Sequence, residues 1–416
     1  MSSSTPPPEP GTAPDPERRP DVDDGSLTEG ALGSESVEAL TGRSTFQPTS
    51  PIFWTREHAT AAKRAPLRIY LGAAPGVGKT FAMLSEGIRR KERGSDVVVG
   101  LVETYGRPKT AELAERLETV PPRILSYRGI DLGEMDAEAL IARAPQVALV
   151  DELAHTNVPT SRRAKRWEDV LDVLSEGIEV ISTVNVQHVE SLNDVIAEIT
   201  EIRQKETVPD WVLELADQVE LVDMSPQALQ KRMMHGNVYP DPRKAELAMR
   251  RFFTIENLTA LRDLALMQVA DSVDTELLER WTKDRSVPDT RERVLVCVQH
   301  SELAEDLVRR GARIAQRAKG DLLVLHVHTP EETVSDEWLA SMRELIARLG
   351  GDFEVISADS DVDGVLGFAY RQSVTQIVVG ESHRSRLEEL FHGSFINRLI
   401  RKATEIDVHV ISRRLR

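Results

Sequence analysis

The fold of the N-terminal half of this chain is decided by the stretch Gly72-Ala73-Ala74-Pro75-Gly76-Val77-Gly78-Lys79-Thr80. An apolar run, Leu67 to Leu71, precedes the stretch, and a helix-like segment follows it. Glycine-rich loops between a strand and a helix bind phosphate, because backbone N–H groups and the positive end of the helix dipole meet the same anion. The stretch therefore predicts a phosphate-binding loop.

Individual roles follow from this pattern. Lys79 is expected to reach the β and γ phosphates, and the hydroxyl of Thr80 is expected to hold Mg²⁺. One departure is that Ala73 stands where the motif has glycine, with Gly72 one step earlier. The alternative is a glycine-rich turn with a chance Gly-Lys-Thr, which the flanking strand and helix disfavour. The predicted nucleotide-binding residues of the loop are Ala73, Gly76, Val77, Gly78, Lys79 and Thr80.

A second element of the same site is the run Val147-Ala148-Leu149-Val150-Asp151-Glu152. Continuous apolar residues indicate a buried parallel strand, and ligands bind at the carboxyl ends of such strands. Asp151 is therefore predicted to hold Mg²⁺ and to belong to the nucleotide site. Glu152 is predicted either to orient an attacking water, as a catalytic residue, or to make a structural hydrogen bond at the strand tip.

A third strand, Glu179 to Asn185, ends in polar residues. We expect Asn185 to sense the γ phosphate, because polar side chains at the tip of a strand beside the metal strand lie close to that group. The rival explanation is helix capping, which asparagine also favours.

Composition limits the classes of function. The chain has 416 residues, 40% of them hydrophobic, a net charge of −16 and one cysteine. The length predicts two or three domains, and the acidic balance argues against nucleic acid as a partner. No apolar run approaches the roughly 18 residues of a membrane span, and the N-terminus has no signal-peptide pattern. A reducing, cytoplasmic location without a membrane span of its own is therefore expected.

The chain divides into three parts. Residues 1–50 are rich in proline, serine and acidic residues and predict a disordered tail. Residues 51–285 alternate strands and helices, which predicts a P-loop NTPase-like domain with a mainly parallel sheet and a helical extension. Residues 293–416 predict a smaller α/β domain. The expected strands of the first domain are Arg68–Ala73, Asp96–Glu103, Arg123–Ser126, Gln146–Asp151, Glu179–Asn185 and Gln218–Val222, with a helix from Ser191 to Lys205 after the fifth.

Four blocks together resemble the cytoplasmic N-terminal sensor region of the KdpD family: the phosphate loop, Val102 to Arg107, Asp151 to Asn157, and Thr183 to His188. The resemblance implies ATP binding at two Walker-type elements and a regulatory role in potassium or osmotic signalling, with a sensor histidine kinase as partner. Complete members continue into membrane helices and a kinase core. This chain ends at Arg416, so the resemblance implies a freestanding sensory module without histidine kinase activity.

The second half resembles the universal stress protein family, whose nucleotide-binding members wrap phosphates with a glycine-rich motif. Gly380, Gly393 and Ser394 fit that spacing, but His383 replaces the middle glycine and Gln299 replaces an acidic residue. These changes argue against ATP in this half. Cyclic di-AMP, which some relatives bind, remains open for the stretch from 357 to 370. An anion or only solvent is expected at the basic residues His383, Arg384, Arg386 and Arg398.

A basic cluster, Arg162, Arg163, Lys165 and Arg166, follows the metal strand. Either one of these residues approaches the γ phosphate as an arginine finger, or the cluster is the exposed start of a helix. The exposed helix start is the favoured alternative.

Three functions therefore compete. The first is an ATP-binding regulatory module that modulates a sensor kinase. The second is a P-loop ATPase or small-molecule phosphotransferase. The third is an interaction scaffold that nucleotide only stabilises. We favour the first, because no motif for an acceptor substrate is visible.

Overall fold

A computed structural model describes residues 54–236, 238, 242–282, 292–301, 303–328, 334–358, 360–381, 395–403 and 406–412. The predicted tail, residues 1–50, lies outside the described residues. So do His383, Arg384, Arg386, Gly393 and Ser394.

Strands and helices alternate along both halves of the chain. Those of the first half are α1 (Arg56–Ala61), β1 (Leu67–Gly72), α2 (Lys79–Glu92), β2 (Val97–Leu101), α3 (Pro108–Ala114), β3 (Glu118–Thr119), β4 (Arg123–Tyr127), β5 (Ile130–Glu134), α4 (Ala137–Arg143), β6 (Val147–Val150), α5 (Arg166–Ser175), β7 (Glu179–Asn185), α6 (Asn193–Thr200), α7 (Asp210–Glu214), β8 (Gln218–Val222), α8 (Pro226–Met234), α9 (Pro242–Arg250) and α10 (Ile255–Thr282). Those of the second half are β9 (Arg293–Val298), α11 (Ala304–Ala318), β10 (Asp321–His328), α12 (Asp336–Arg348), β11 (Asp352–Ser357), α13 (Asp361–Arg371), β12 (Gln376–Gly380), α14 (Phe395–Lys402) and β13 (Asp407–Ile411).

The first half contains a parallel sheet with strand order β3-β2-β6-β7-β1-β8. Every residue of β2 and β6 is buried, because helices cover both faces of the sheet. Along β1, Ile69 and Leu71 join one apolar cluster and Tyr70 joins the other, as the two-residue period of a strand requires. The carboxyl ends of β1, β6 and β7 consequently lie side by side.

The second half contains a smaller parallel sheet with strand order β11-β10-β9-β12-β13. Apolar clusters cover both of its faces as well. The predicted fold class, α/β with two mainly parallel sheets, is therefore confirmed.

One predicted strand lies outside the first sheet. The segment predicted as Arg123–Ser126 forms β4, which pairs antiparallel with β5 in a separate hairpin. Arg128 and Gly129, between the two strands, both have positive φ, which suits a tight hairpin turn. Most residues of β4 are exposed or half-buried, so its apolar content was too low for a central parallel strand. The edge of the main sheet is instead the two-residue strand β3.

The helix predicted from Ser191 to Lys205 is shorter than expected. After β7 the chain makes two 3₁₀ turns, Val186–His188 and Glu190–Leu192, and α6 begins only at Asn193. The helix ends at Thr200, and Glu201 follows with a left-handed φ of 60°. The residues before the helix, Glu190 to Leu192, are buried, whereas Glu201 and Arg203 after it are exposed.

Glu190 joins the two halves through what we call the interdomain ion cluster, formed by Glu190, Arg309 and Arg348. Glu190 is 1% exposed and accepts hydrogen bonds from Nε and Nη2 of Arg309 at 3.3 and 3.1 Å. Nε of Arg348 donates to the other carboxylate oxygen at 3.2 Å, as does the hydroxyl of Thr207 at 2.5 Å. Burial acts to raise the pKa of Glu190, but the two arginines hold it below its ordinary value.

We expect Glu190→Gln to lower the free energy of unfolding by about 3 kcal/mol, because buried Arg309 and half-buried Arg348 lose their shared negative charge. The matched control is Glu344→Gln, which removes the exposed partner of Arg348 and is expected to cost less than about 1 kcal/mol. Urea unfolding followed by tryptophan fluorescence measures both values. Equal effects of the two substitutions would contradict a stabilising role for the cluster.

Candidate functional site

The phosphate-binding loop has the backbone that its sequence predicts. Gly76 and Gly78 adopt φ values of 83° and 109°, which residues with a β-carbon rarely adopt. α2 begins at Lys79, its N-cap residue Gly78 makes no side-chain cap, and its first turn contains no acidic residue. The positive end of the helix dipole is therefore directed at the loop without a neutralising side chain.

The departure at Ala73 has a packing explanation. A β-carbon at Gly72 would lie 2.7 Å from Cγ2 of Val77 and 2.9 Å from Cδ of Lys79. The loop folds back over Gly72, so the close approach requires glycine there. Ala73 and Ala74 are buried, so small side chains fit at both positions.

Lys79 and Asn185 meet at the centre of the site. The ammonium group of Lys79, which is buried, donates a hydrogen bond to Oδ1 of Asn185. Gly72 and Asn185 are neighbours in the parallel register of β1 and β7, so the sheet itself brings these residues together. Asn185 makes no side-chain cap to the 3₁₀ turn that follows it. The capping explanation for Asn185 is therefore wrong, and phosphate sensing stays a prediction.

Asp151 lies beside Thr80, as predicted. The Thr80 hydroxyl donates to Oδ2 of Asp151 at 2.9 Å, and the Thr183 hydroxyl donates to Oδ1. Asp151 is 2% exposed. A hydroxyl and a carboxylate are the oxygen ligands that Mg²⁺ prefers, so Thr80 and Asp151 fit this ion in chemistry and position.

Glu103 is a residue of the site that the sequence analysis missed. Its backbone N–H donates to Oδ2 of Asp151 at 3.4 Å. Burial raises the pKa of the Glu103 carboxyl, and the nearby charge of Asp151 adds to the rise, whereas Arg166 opposes it. The signal in the sequence was its position just after β2, because the carboxyl end of β2 lies beside that of β6.

Glu152 follows Asp151 in a strained conformation with a φ of 55°. Its backbone N–H donates to the Thr183 hydroxyl at 3.1 Å. The hydroxyl of Tyr105 donates to Oε1 of Glu152, and Nη1 of Arg166 lies 3.8 Å from Oε2. These contacts fit the structural hydrogen-bond alternative, and a water-orienting role stays a prediction.

Two of the four residues of the basic cluster, Arg163 and Arg166, are buried, so the expectation of an exposed helix start is wrong for them, whereas Arg162 is exposed. Arg166 is 1% exposed, donates to the carbonyl oxygen of Asp151 at 3.2 Å and lies 3.5 Å from Glu134. Arg163 makes two hydrogen bonds to Asp172, at 2.8 and 2.7 Å. Local sequence could not reveal these acceptors. Both guanidinium groups hold the metal strand and α5 in place.

The segment after Glu152 supports the strand tip through buried polar contacts. Nδ2 of Asn157 donates to Oδ2 of Asp169 at 2.6 Å. His155 contacts Glu134 at 3.2 Å, and the backbone N–H of Val158 donates to the same carboxylate at 2.8 Å. Burial raises the pKa of Asp169 to about 7.

Two further predictions fall in the second half. Arg398 donates to Asp361 at 3.1 Å, so this predicted anion contact has an acidic partner within the domain. The stretch from 357 to 370 borders a cleft of ≈ 460 Å³, lined by Ile356, Ser357, Ala358, Ser360, Asp363, Gly364 and Arg371. Cyclic di-AMP as its ligand stays a prediction. No helix within the described residues combines the length and apolar character of a bilayer-crossing segment.

Comparison with protein families gives two matches. The profile of KdpD, described as the osmosensitive K⁺ channel His kinase sensor domain, matches residues 63–273. The profile of the universal stress protein family matches residues 290–412.

Several curated relatives are similar over most of this chain. Sensor protein KdpD of Mycobacterium tuberculosis is 49% identical over 368 residues, which cover 87% of this chain and 42% of that protein. Sensor protein KdpD of Escherichia coli is 40% identical, with 84% of this chain and 40% of that protein covered. A putative sensor protein KdpD of Synechocystis is 42% identical, with 84% and 95% covered. The chain thus spans about two fifths of the first two relatives.

Solved structures resemble the second half at low overall similarity. A universal stress protein in complex with cAMP is 21% identical, covers 29% of this chain and 97% of its own, and has a TM-score of 0.25. The universal stress protein from Archaeoglobus fulgidus in complex with dAMP is also 21% identical, with the same coverage and a TM-score of 0.22.

We expect Asp169→Asn to change how stability depends on pH. The folded pKa of Asp169, about 7, lies above its unfolded value of about 3.9. Between these pH values the folded state binds a proton that the unfolded state has released, so this carboxyl makes stability fall as pH rises, by at most about 1.4 kcal/mol per pH unit. Asparagine removes that contribution.

The measurement is the free energy of unfolding in urea at pH 5, 6 and 7. The variant is expected to gain stability relative to the parent chain as pH rises, whereas the exposed control Glu246→Gln is expected to follow the parent. A difference that does not vary with pH would mean that Asp169 is ionised in the folded protein throughout this range.

Proposed function

The chain belongs to the KdpD sensor family, and from this premise we propose that it is a cytoplasmic ATP-binding regulatory module that modulates a sensor histidine kinase in potassium or osmotic signalling. We also propose residues 51–285 as the P-loop domain with its helical extension and residues 293–416 as the universal stress protein-like domain. Nucleotide occupancy of the first domain would change the surface offered to the kinase.

The chemistry of the site supports ATP and Mg²⁺ as ligands. Lys79 supplies a positive charge for the phosphates, and the backbone N–H groups of the loop at Ala73, Gly76, Val77 and Gly78 would donate to the phosphate oxygens. Thr80 and Asp151 would hold Mg²⁺, which neutralises phosphate charge when bound. Asn185 already contacts the Lys79 ammonium. When a phosphate draws the ammonium away, Asn185 would exchange this contact for one with the phosphate.

The continuity between Asn185 and Glu190 carries the regulatory proposal. Asn185 contacts Lys79 at the phosphate site, and Glu190 lies five residues later in the interdomain ion cluster. The segment between them is buried and made of short turns, so it has few independent ways to move. A change at Asn185 therefore has a short, packed route to the second domain.

The ATPase alternative requires a free carboxylate to orient water. Glu152 is instead in contact with the Tyr105 hydroxyl and near Arg166. This arrangement favours a nucleotide receptor over rapid turnover. A switch-like protein would hydrolyse ATP at about 10⁻⁴ to 10⁻² per second, whereas phosphotransferases reach about 1 to 100.

We expect isothermal titration calorimetry to show saturable Mg-ATP binding that Lys79→Ala weakens about 10- to 100-fold, because a charge-assisted phosphate contact is lost. Asp151→Asn is expected to reduce the dependence of binding on Mg²⁺. The control is Lys91→Ala on the same helix, whose ammonium contacts the carbonyl oxygen of Arg116, and it should bind as the parent does.

Other results would favour the other functions. Sustained heat after each injection would indicate ATP hydrolysis and support the enzyme alternative. Absence of binding at two temperatures would reject the nucleotide receptor and leave the scaffold. Normal binding by both site variants would place the nucleotide elsewhere in the chain.

Coupling between the halves is tested by hydrogen–deuterium exchange. Mg-ATP is expected to change exchange in residues 186–192 and in α11, where Arg309 lies, and the change in α11 should be smaller in Glu190→Gln. β13, at the opposite edge of the second sheet from β11, serves as the internal reference. A nucleotide effect confined to the phosphate loop would contradict regulation through this segment.

A further inference from the structure

Arg232 on α8 is a half-buried cation beside the phosphate-binding loop. A β-carbon at Gly78 would lie 3.9 Å from its Nη1 atom, so the guanidinium reaches the glycine that precedes Lys79. No sequence motif marks this residue, because α8 lies about 150 positions after the loop. Its position next to the predicted phosphate site follows from packing alone.

No acidic partner of Arg232 lies among the described residues, unlike the partners of several other arginines of the first half. Across the described residues its nitrogens make no hydrogen bond or ion pair. By contrast, Arg68 pairs with Glu86 and Glu220, and Arg262 pairs with Asp223. Burial lowers the pKa of Arg232, and the positive charge of Arg107 adds to this effect. A half-buried positive charge beside a second positive charge lowers stability unless an anion compensates it.

Arg107 lies near the same loop from another element. Its Nη2 donates to the carbonyl oxygen of Val238 at 3.4 Å, and its guanidinium stacks 5.3 Å from the centre of the Tyr105 ring. Val238 in turn covers the loop, since a β-carbon at Gly76 would lie 2.5 Å from Cγ2 of Val238. Arg232 thus lies beside Gly78, and Arg107 is connected to Gly76 through Val238.

We propose that Arg107 and Arg232, the arginine pair, bind the phosphate groups of the nucleotide held by the loop, with Arg232 as the principal contact. An anion between like charges reduces their repulsion and supplies the partner that Arg232 lacks among the described residues. The planar guanidinium presents paired donors that match phosphate oxygens. This inference rests on the proposed function, since it names further residues of the same nucleotide site.

The basic cluster at 162–166 is a poorer source of such a contact. Arg163 is bound to Asp172, and Arg166 is bound to the carbonyl oxygen of Asp151 near Glu134. Moving Arg163 or Arg166 to a phosphate would leave Asp172 or Glu134, respectively, without that cation. Arg232 binds phosphate without such a loss. By this proposal α8, which follows the edge strand β8, also contributes to the ligand site.

The test compares Arg232→Gln with the parent chain by two readouts. Calorimetry should show Mg-ATP and inorganic tripolyphosphate binding about 10-fold more weakly, with a lower dependence of affinity on salt, because one phosphate contact is lost. The melting temperature of the ligand-free variant should be unchanged or higher, because an uncompensated charge is removed. A merely structural arginine would lower the melting temperature instead, which would overturn the inference.

Two further variants complete the design. Arg232→Lys keeps the charge without the planar fork and should bind Mg-ATP with intermediate affinity. Arg250→Gln, on the neighbouring helix α9 and paired with exposed Glu246, should behave as the parent does. If the parent binds Mg-ATP and Lys79→Ala weakens this binding while Arg232→Gln does not, phosphate binding by the arginine pair is rejected and the proposed function stands. If the parent does not bind Mg-ATP, the proposed function itself is rejected.

Discussion

The structure of the site depends on the hydrogen bonding of one buried carboxylate, Asp151. Its oxygens accept from the hydroxyls of Thr80 and Thr183 and, more weakly, from the backbone N–H of Glu103. These partners come from the start of α2, from β7 and from the loop after β2. A carboxylate removed from water requires such partners. The same contacts therefore fix the relative positions of the phosphate-binding loop, the metal strand and the strand that ends in Asn185.

Much of this arrangement could be predicted from the sequence because its signals are local. The glycines and Lys79 identify the loop, an apolar run ending in Asp151 identifies the metal strand, and β7 has the bounds that were predicted. The α/β class followed from the alternation of apolar runs with amphipathic segments. Each of these features is encoded within about ten consecutive residues.

The remainder depends on contacts between distant positions. Burial of Arg166 requires Glu134, which lies on a hairpin that the apolar pattern did not separate from the main sheet. Arg232 reaches the loop only because α8 packs there, and no motif announces it. The role of Glu190 depends on Arg309 and Arg348, more than a hundred positions away. A single sequence contains no local signal for such partners, since charged residues in a helix are usually exposed.

The burial of Glu190 at the junction also limits how the two halves can be recombined. A chimera that joins this first half to a different second half would carry a buried carboxylate without the guanidinium groups that neutralise it. Exchange of the second half is therefore tolerated only when the incoming segment brings cations to the positions of Arg309 and Arg348, or when residue 190 changes with it. Glu190, Arg309 and Arg348 must therefore be kept or replaced together, although each half has its own sheet and core.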